Sequence, residues 1–260
     1  MVTVHDLGRG HGRGRDQGQI LYATDFDQGL GGWDGLKSGS TNTTTAANMY
    51  KWPTLTTEAS AFGRRCLKLD AGVGSDSSNS NTAVAIRRTS LFTGRIRWSM
   101  YIAHNGLGEN WLRFLRFVVD TQDPRWTGGS KRFWFELRYS HYDQDTAAIT
   151  GTWKVETGTV TASVMSSSVL SYILPFNEWQ KVKFHKLELI VNTTTMAYES
   201  FTINGLKTDL SSYSPTADTS LAPEVFDNGL NTIMYCQNRS NNSSAHSWGY
   251  LDKPTLEWLA

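Results

Sequence analysis

The sequence predicts an all-β protein, an antiparallel sandwich of two sheets, and three observations predict it. Short runs rich in Val, Ile, Thr, Tyr, Phe and Trp recur along the chain, separated by turns of Gly, Asn, Asp and Ser. Several runs alternate apolar and polar residues, the period of a strand with one buried face. No segment carries a sustained helical period, and no tandem repeat is found at periods of about 20 to 50 residues. With 260 residues the chain can bury one large core, and a single domain is expected over 20–260.

Residues 1–19 are rich in Gly, Arg and His and have no apolar face to bury, so a flexible arm is expected there. Ile20–Phe26 is the first expected strand, followed by a Gly-punctuated turn that presents Trp33. Thr41–Asn48 reads as a polar loop or an edge strand, Arg64–Asp70 as a short strand, and 71–81 as a loop. Ala83–Arg87 leads into the stretch that organises the chain, three expected strands at Arg95–Ile102, Leu112–Val119 and Arg132–Tyr139, paired in one sheet. In the third, Phe133, Phe135, Leu137 and Tyr139 share one face and Arg132, Trp134, Glu136 and Arg138 the other. Trp153–Glu156 and Thr159–Met165 follow as strands. A long strand is expected from Asn177 to Val191, then an NTTT turn and a return over Met196–Ile203. Asn204-Gly205 supplies a tight reversal. Residues 207–228 read as loop, Leu230–Gln237 as a strand, and Trp248–Trp258 as the last strand.

The totals narrow the function. Net charge is +1, so no strong field draws nucleic acid or an anionic membrane, and no run is long and apolar enough for a spanning helix. Ten Trp residues and 12% aromatics suit cores and flat recognition faces. No apolar leader opens the sequence, which predicts synthesis in the cytoplasm without signal-peptide export, and reduced thiols at Cys66 and Cys236 rather than a disulfide. The phosphate loop, His-Glu-x-x-His, zinc-spaced Cys pairs and Gly-x-Ser-x-Gly are all absent.

Two stretches carry a family resemblance. NEWQKVKFHKLELIVNTTTMAYESFTINGLK (177–207) resembles the paired strands of concanavalin A-like jelly rolls, the architecture of laminin-G domains, lectins and polysaccharide lyases. YATDFDQGLGGW (22–33) and WGYLDKPTLEW (248–258) resemble the opening and closing strands of carbohydrate-binding jelly rolls, which lie side by side. The resemblance implies a jelly-roll sandwich. It implies little about activity, since the fold hosts binders, enzymes and structural proteins.

Three sets of residues are candidates for chemistry. Trp134, Glu136 and Arg138 share a face, with Arg97 and Tyr101 expected on the adjacent strand and Arg116 between them. Rings stack on sugars, while Arg and Glu bond hydroxyls or uronate carboxylates. The same face could equally be sealed by a loop or a second subunit. Asp25, Asp27 and Asp252 converge if the first and last strands are neighbours. Similar carbohydrate-binding jelly rolls hold a structural calcium near this seam, and turn capping is the plainer reading. His104, His141 and Tyr139 are acid–base candidates, although Tyr139 falls on the core side of its strand. Of the jelly-roll alginate-lyase pattern only the Glu-Leu-Arg fragment 136–138 is present, and the Glu-x-Asp-x-x-Glu of jelly-roll glucanases is missing.

The expectation is therefore a non-catalytic jelly roll that binds a glycan or a particle-surface protein. Its basic arm and polar loops are similar to those of phage tail and capsid-decoration proteins, which implies assembly on a virion surface as a homo-oligomer. The rival expectation is a polysaccharide-active, lyase-like enzyme or its carbohydrate-binding module.

Overall fold

A computed structural model of the chain describes residues 18–34, 53–57, 59–71, 82–90, 92–104, 112–123, 131–143, 148–175, 182–219, 229–238 and 247–260. The expected arm at 1–19, all but its last two residues, lies outside the described residues. So do the Thr41–Asn48 run, the 72–81 loop and the 177–181 start of the expected long strand.

In chain order the strands are β1 (Gln19–Ala23), β2 (Trp33–Asp34), β3 (Thr54–Thr56), β4 (Cys66–Asp70), β5 (Thr82–Ser90), β6 (Arg95–His104), β7 (Leu112–Asp123), β8 (Lys131–Asp143), β9 (Ala148–Val155), β10 (Leu170–Ser171), β11 (His185–Asn192), β12 (Ala197–Ile203), β13 (Leu206–Asp209), β14 (Gly229–Asn238) and β15 (Trp248–Leu259). They form two antiparallel sheets packed as a jelly-roll sandwich. The first sheet runs β13-β12-β11-β6-β15-β4-β3, with β1 also on β15, and the second runs β10-β9-β8-β7-β14-β5-β2.

The core lies between the sheets and is written in the alternation. Ile96, Trp98, Met100 and Ile102 of β6 and Leu187, Leu189 and Val191 of β11 face Leu115, Phe117 and Val119 of β7 and Phe133, Phe135, Leu137 and Tyr139 of β8. Trp33, expected at a turn, packs inward and stacks on Trp98 at 6.4 Å. Gly249 lets the sheets close together, because a Cβ there would stand 3.0 Å from Leu115. Asn204 and Gly205 both have positive φ, 50° and 87°, and reverse the chain from β12 into β13. That last strand lies in a stretch expected to be loop. Thr159–Met165, expected as a strand, is a bent loop joined to β9 by an isolated Glu156–Met165 bridge.

One expectation about pairing is corrected. β7 and β8 pair as expected, but β6 pairs with β11 and β15 in the other sheet. Alternation says which residues share a face of a strand. It does not say which sheet the strand joins. The expected neighbourhood of the first and last strands is found, with Gln19 opposite Trp258 and Ala23 opposite Thr255. Cys66 and Cys236 are buried thiols, not joined as a disulfide, in separate clusters on different sheets.

Candidate functional site

The outer face of the second sheet is the most chemically loaded surface among the described residues. Its register sets up rows across the strands. In one row Lys154 of β9 stands opposite Arg138 of β8, Arg138 opposite Arg116 of β7, and Arg116 opposite Tyr235 of β14. The next row holds Glu136, Val118 and Ile233, and the one beyond it Trp134, Asp120 and Asn231.

Glu136 is the hub. Its carboxylate accepts Arg116 Nε–H at 2.9 Å, Arg138 Nε–H at 2.6 Å and Trp134 Nε1–H at 2.9 Å. The residue is fully buried, and burial by itself would raise its pKa. The two guanidinium groups outweigh that and hold the carboxyl at about 2. Asp120 is a second hub, accepting Arg132 Nε–H at 2.7 Å and Nη2–H at 2.9 Å, with Gln122 and Asn231 also donating to it. The guanidiniums stand over rings: Arg116 over Tyr235 at 4.7 Å, Arg138 over Phe114 at 5.0 Å, Arg132 over Trp134 at 4.9 Å from the ring centres.

Exposure divides this face. Trp134 is only 6% exposed and packs with Val84, Ile86, Val118, Ile233 and Tyr235, with Val160 laid against the cluster. Val160 comes from the 157–164 loop, which is pinned by the Glu156 carboxylate through Gly158 N–H, Val164 N–H and the Ser163 hydroxyl. Thr161 also bonds to Asp218, whose backbone bridges Arg132. Trp134 and Glu136, expected to turn toward a partner, are thus covered by the same chain. The side chains of Arg116 and Arg138 keep 25% and 17% exposure, and Phe114 and Lys154 are half-buried. Arg97 and Tyr101 do not join them. Both lie on the outer face of the first sheet, across the core, where Arg97 pairs with Glu257 and Tyr101 meets Phe62 edge-on at 4.9 Å.

Lys154, Asp120, Tyr235 and the loop-pinning Glu156 were not singled out by sequence reasoning. Parity alone puts Lys154 outward, between the inward Trp153 and Val155, but its place beside Arg138 depends on pairing, which parity does not give.

The three aspartates do not gather into a metal centre, and among the described residues no group of His, Cys, Asp or Glu is arranged to hold a metal ion. Backbone donors take up their oxygens instead. Asp252 accepts Ala61 N–H at 2.8 Å, Phe62 N–H and the Ser60 hydroxyl; Asp27 accepts Arg64 and Arg65 N–H; Asp25 caps Asp27 N–H. Together Asp27 and Asp252 hold the 60–65 turn against the seam of β1 and β15.

The acid–base candidates form a buried cluster at one end of the core. The Tyr139 hydroxyl accepts Leu174 N–H at 3.0 Å and shares a hydrogen bond with His141 Nδ1 at 2.9 Å, and the His104 and His141 rings are 4.8 Å apart. Burial pushes the His141 pKa down to about 4 and the Tyr139 pKa up. They face the interior rather than the outer sheet faces.

No protein-family model matches the chain, and no curated protein sequence matches it. Solved structures do. Cellulose induced protein Cip1 superposes with a TM-score of 0.53 at 12% identity, over 90% of this chain and 96% of that one. A structure from work on endo-acting O-glycanases that initiate mucin breakdown, from members of the human gut microbiota, gives 0.50 at 13%, over 93% and 100%. A carbohydrate esterase from Shiga toxin-encoding bacteriophage phi24B gives 0.47 at 12%, over 94% and 100%. At such identities the likeness speaks for the fold alone, the two-sheet jelly-roll sandwich.

Proposed function

We propose that the protein is a non-catalytic glycan-binding jelly roll that receives its ligand on the outer face of the second sheet. One observation carries the reading: the half-buried Arg138 guanidinium stands over the Phe114 ring and, among the described residues, commits only its Nε–H, to Glu136. A ring edge beside a forked donor, on a rigid strand, is the chemistry that holds a sugar. The fold neighbours lend support, being named for cellulose induction and for mucin O-glycan breakdown. Catalysis is the weaker reading because the acid–base groups are withdrawn. Glu136 is sealed and held ionised, and Tyr139 and His141 bond to each other inside the core. Retention of the whole protein in gels cast with a panel of polysaccharides tests the proposal. Retardation by at least one glycan, lost in Phe114→Ala, is expected; no retardation by any would reject it.

Display on a particle is a separate proposal, supported by the Gly- and Arg-rich composition of residues 1–19. In it the arm anchors a homo-oligomer to a virion surface and the sandwich projects outward. Deleting residues 1–19 should abolish particle association; unchanged association and oligomer size would reject the anchor.

A further inference from the structure

Resting on the glycan reading, we propose that the ligand is an anionic glycan, with its carboxylate or sulfate groups seated along Lys154, Arg138 and Arg116. These three cations sit directly opposite one another on adjacent strands, where like charges repel across about 5 Å between Cβ atoms. The Glu136 carboxylate lies beneath them, and both arginines donate to it. Lys154 has no carboxylate partner among the described residues, because the buried Glu156 carboxylate two residues on is taken up by Gly158, Ser163 and Val164. The neighbouring Arg132 is paired with Asp120.

The geometry suits a planar or tetrahedral oxyanion. Arg138 spends one N–H on Glu136, which leaves the outer edge of its fork to offer two parallel donors. Phe114 places a ring beneath that fork, 5.0 Å from its centre to the guanidinium carbon. Lys154 supplies a point charge on one side and Arg116 a second guanidinium on the other. An arriving anion would offset the like-charge repulsion between neighbours along the row.

Calorimetric titration of the full chain tests this with three probes: an oligogalacturonate, a sulfated galactan oligosaccharide without uronate, and neutral cello- and manno-oligosaccharides. At least one anionic probe is expected to bind about tenfold more tightly than the neutral ones, with affinity falling as salt rises. Which of the two wins identifies carboxylate or sulfate as the natural group. Lys154→Gln should weaken that binding about tenfold without lowering the melting temperature, while Lys186→Gln on the other sheet should leave it unchanged. Equal affinity for neutral and anionic probes, or indifference to Lys154→Gln, overturns the inference and leaves the glycan reading standing. Failure of every probe overturns both.

Discussion

The two outer faces of the sandwich handle charge in opposite ways. On the first sheet Arg95 meets Glu199, Arg97 meets Glu257 and Lys186 meets Glu188, each cation with its own carboxylate and each pair open to water. On the second sheet Arg116 and Arg138 share one sealed carboxylate, and Lys154 lies beside them with none among the described residues. Exposed one-to-one pairs contribute about 0–1 kcal/mol each and keep a surface soluble. A shared, desolvated carboxylate under a row of cations is a different device. It fixes the guanidiniums in place while dividing one negative charge between them. A face selected for stability alone would match its charges, and the first sheet shows that this fold can do so.

The largest expected effect breaks the comparison at its hub. Glu136→Gln keeps the side chain's shape but leaves two guanidiniums over a buried neutral amide, and should cost about 3 kcal/mol in urea unfolding. Glu257→Gln on the first sheet should cost less than about 1 kcal/mol. Similar losses for the two would erase the distinction between the faces.

Acid should reveal the same hub. Glu136 is held near 2 against an ordinary 4.5, so the stability it adds is complete above about pH 4.5 and is lost as pH falls toward 2. The loss should total about 3 kcal/mol. His141, depressed to about 4 from 6.5 by burial, adds stability that is complete above about pH 6.5 and declines toward pH 4. Denaturation midpoints measured from pH 7 to pH 2 should therefore fall in two stages. Glu136→Gln should remove the lower stage and His141→Gln the upper one. A single stage unaffected by either variant would contradict the burial assigned to both groups.

A smaller effect sharpens the comparison from below. Tyr198 of β12 reaches from the first sheet to the second, where its hydroxyl accepts Glu136 N–H at 2.9 Å and donates to the Glu156 carbonyl at 2.9 Å. Tyr198→Phe leaves both backbone groups without this partner, at a cost of about 1–3 kcal/mol by thermal unfolding. Glu136 supports the cation row and Glu156 pins the loop over Trp134, so the variant should also speed amide exchange in 136–138 and 156–158. Unchanged exchange there would show that the hydroxyl does not hold the face.

The smallest expected effect has the opposite sign. Lys154→Gln relieves like-charge contact with Arg138 and should raise stability by about 0.5 kcal/mol. A loss of stability instead would make Lys154 a structural residue and remove the cation row as a sign of function.

Much of the fold was legible because a strand's period of two exposes its faces. The inward ladder of β8, the Asn204-Gly205 reversal and the meeting of β1 with β15 all follow from local pattern. Sheet membership was not legible. The run Arg95–Ile102 alternates as well as its successors, yet its partners are β11 and β15, far along the chain. That one unknown placed Arg97 and Tyr101 on the wrong face. Trp134 was read correctly for parity and wrongly for exposure, because its cover comes from Val160 on a loop whose packing no periodicity records. For Asp27 and Asp252 the sequence leaves a cation and turn capping both open, with capping the plainer reading, and backbone N–H groups of the 60–65 turn take their lone pairs. The cation row itself needed the pairing of β9 with β8, and only then did Lys154 join the arginines.

The most direct test of the account is an amide chemical-shift map of the whole protein titrated with whichever glycan it binds. The account predicts that the largest shifts fall on 114–118, 136–140 and 152–156, around Phe114, Arg116, Arg138 and Lys154, with the first sheet near Arg97 and Glu257 silent. Shifts centred on the first sheet, or confined to the 60–65 turn, would contradict it.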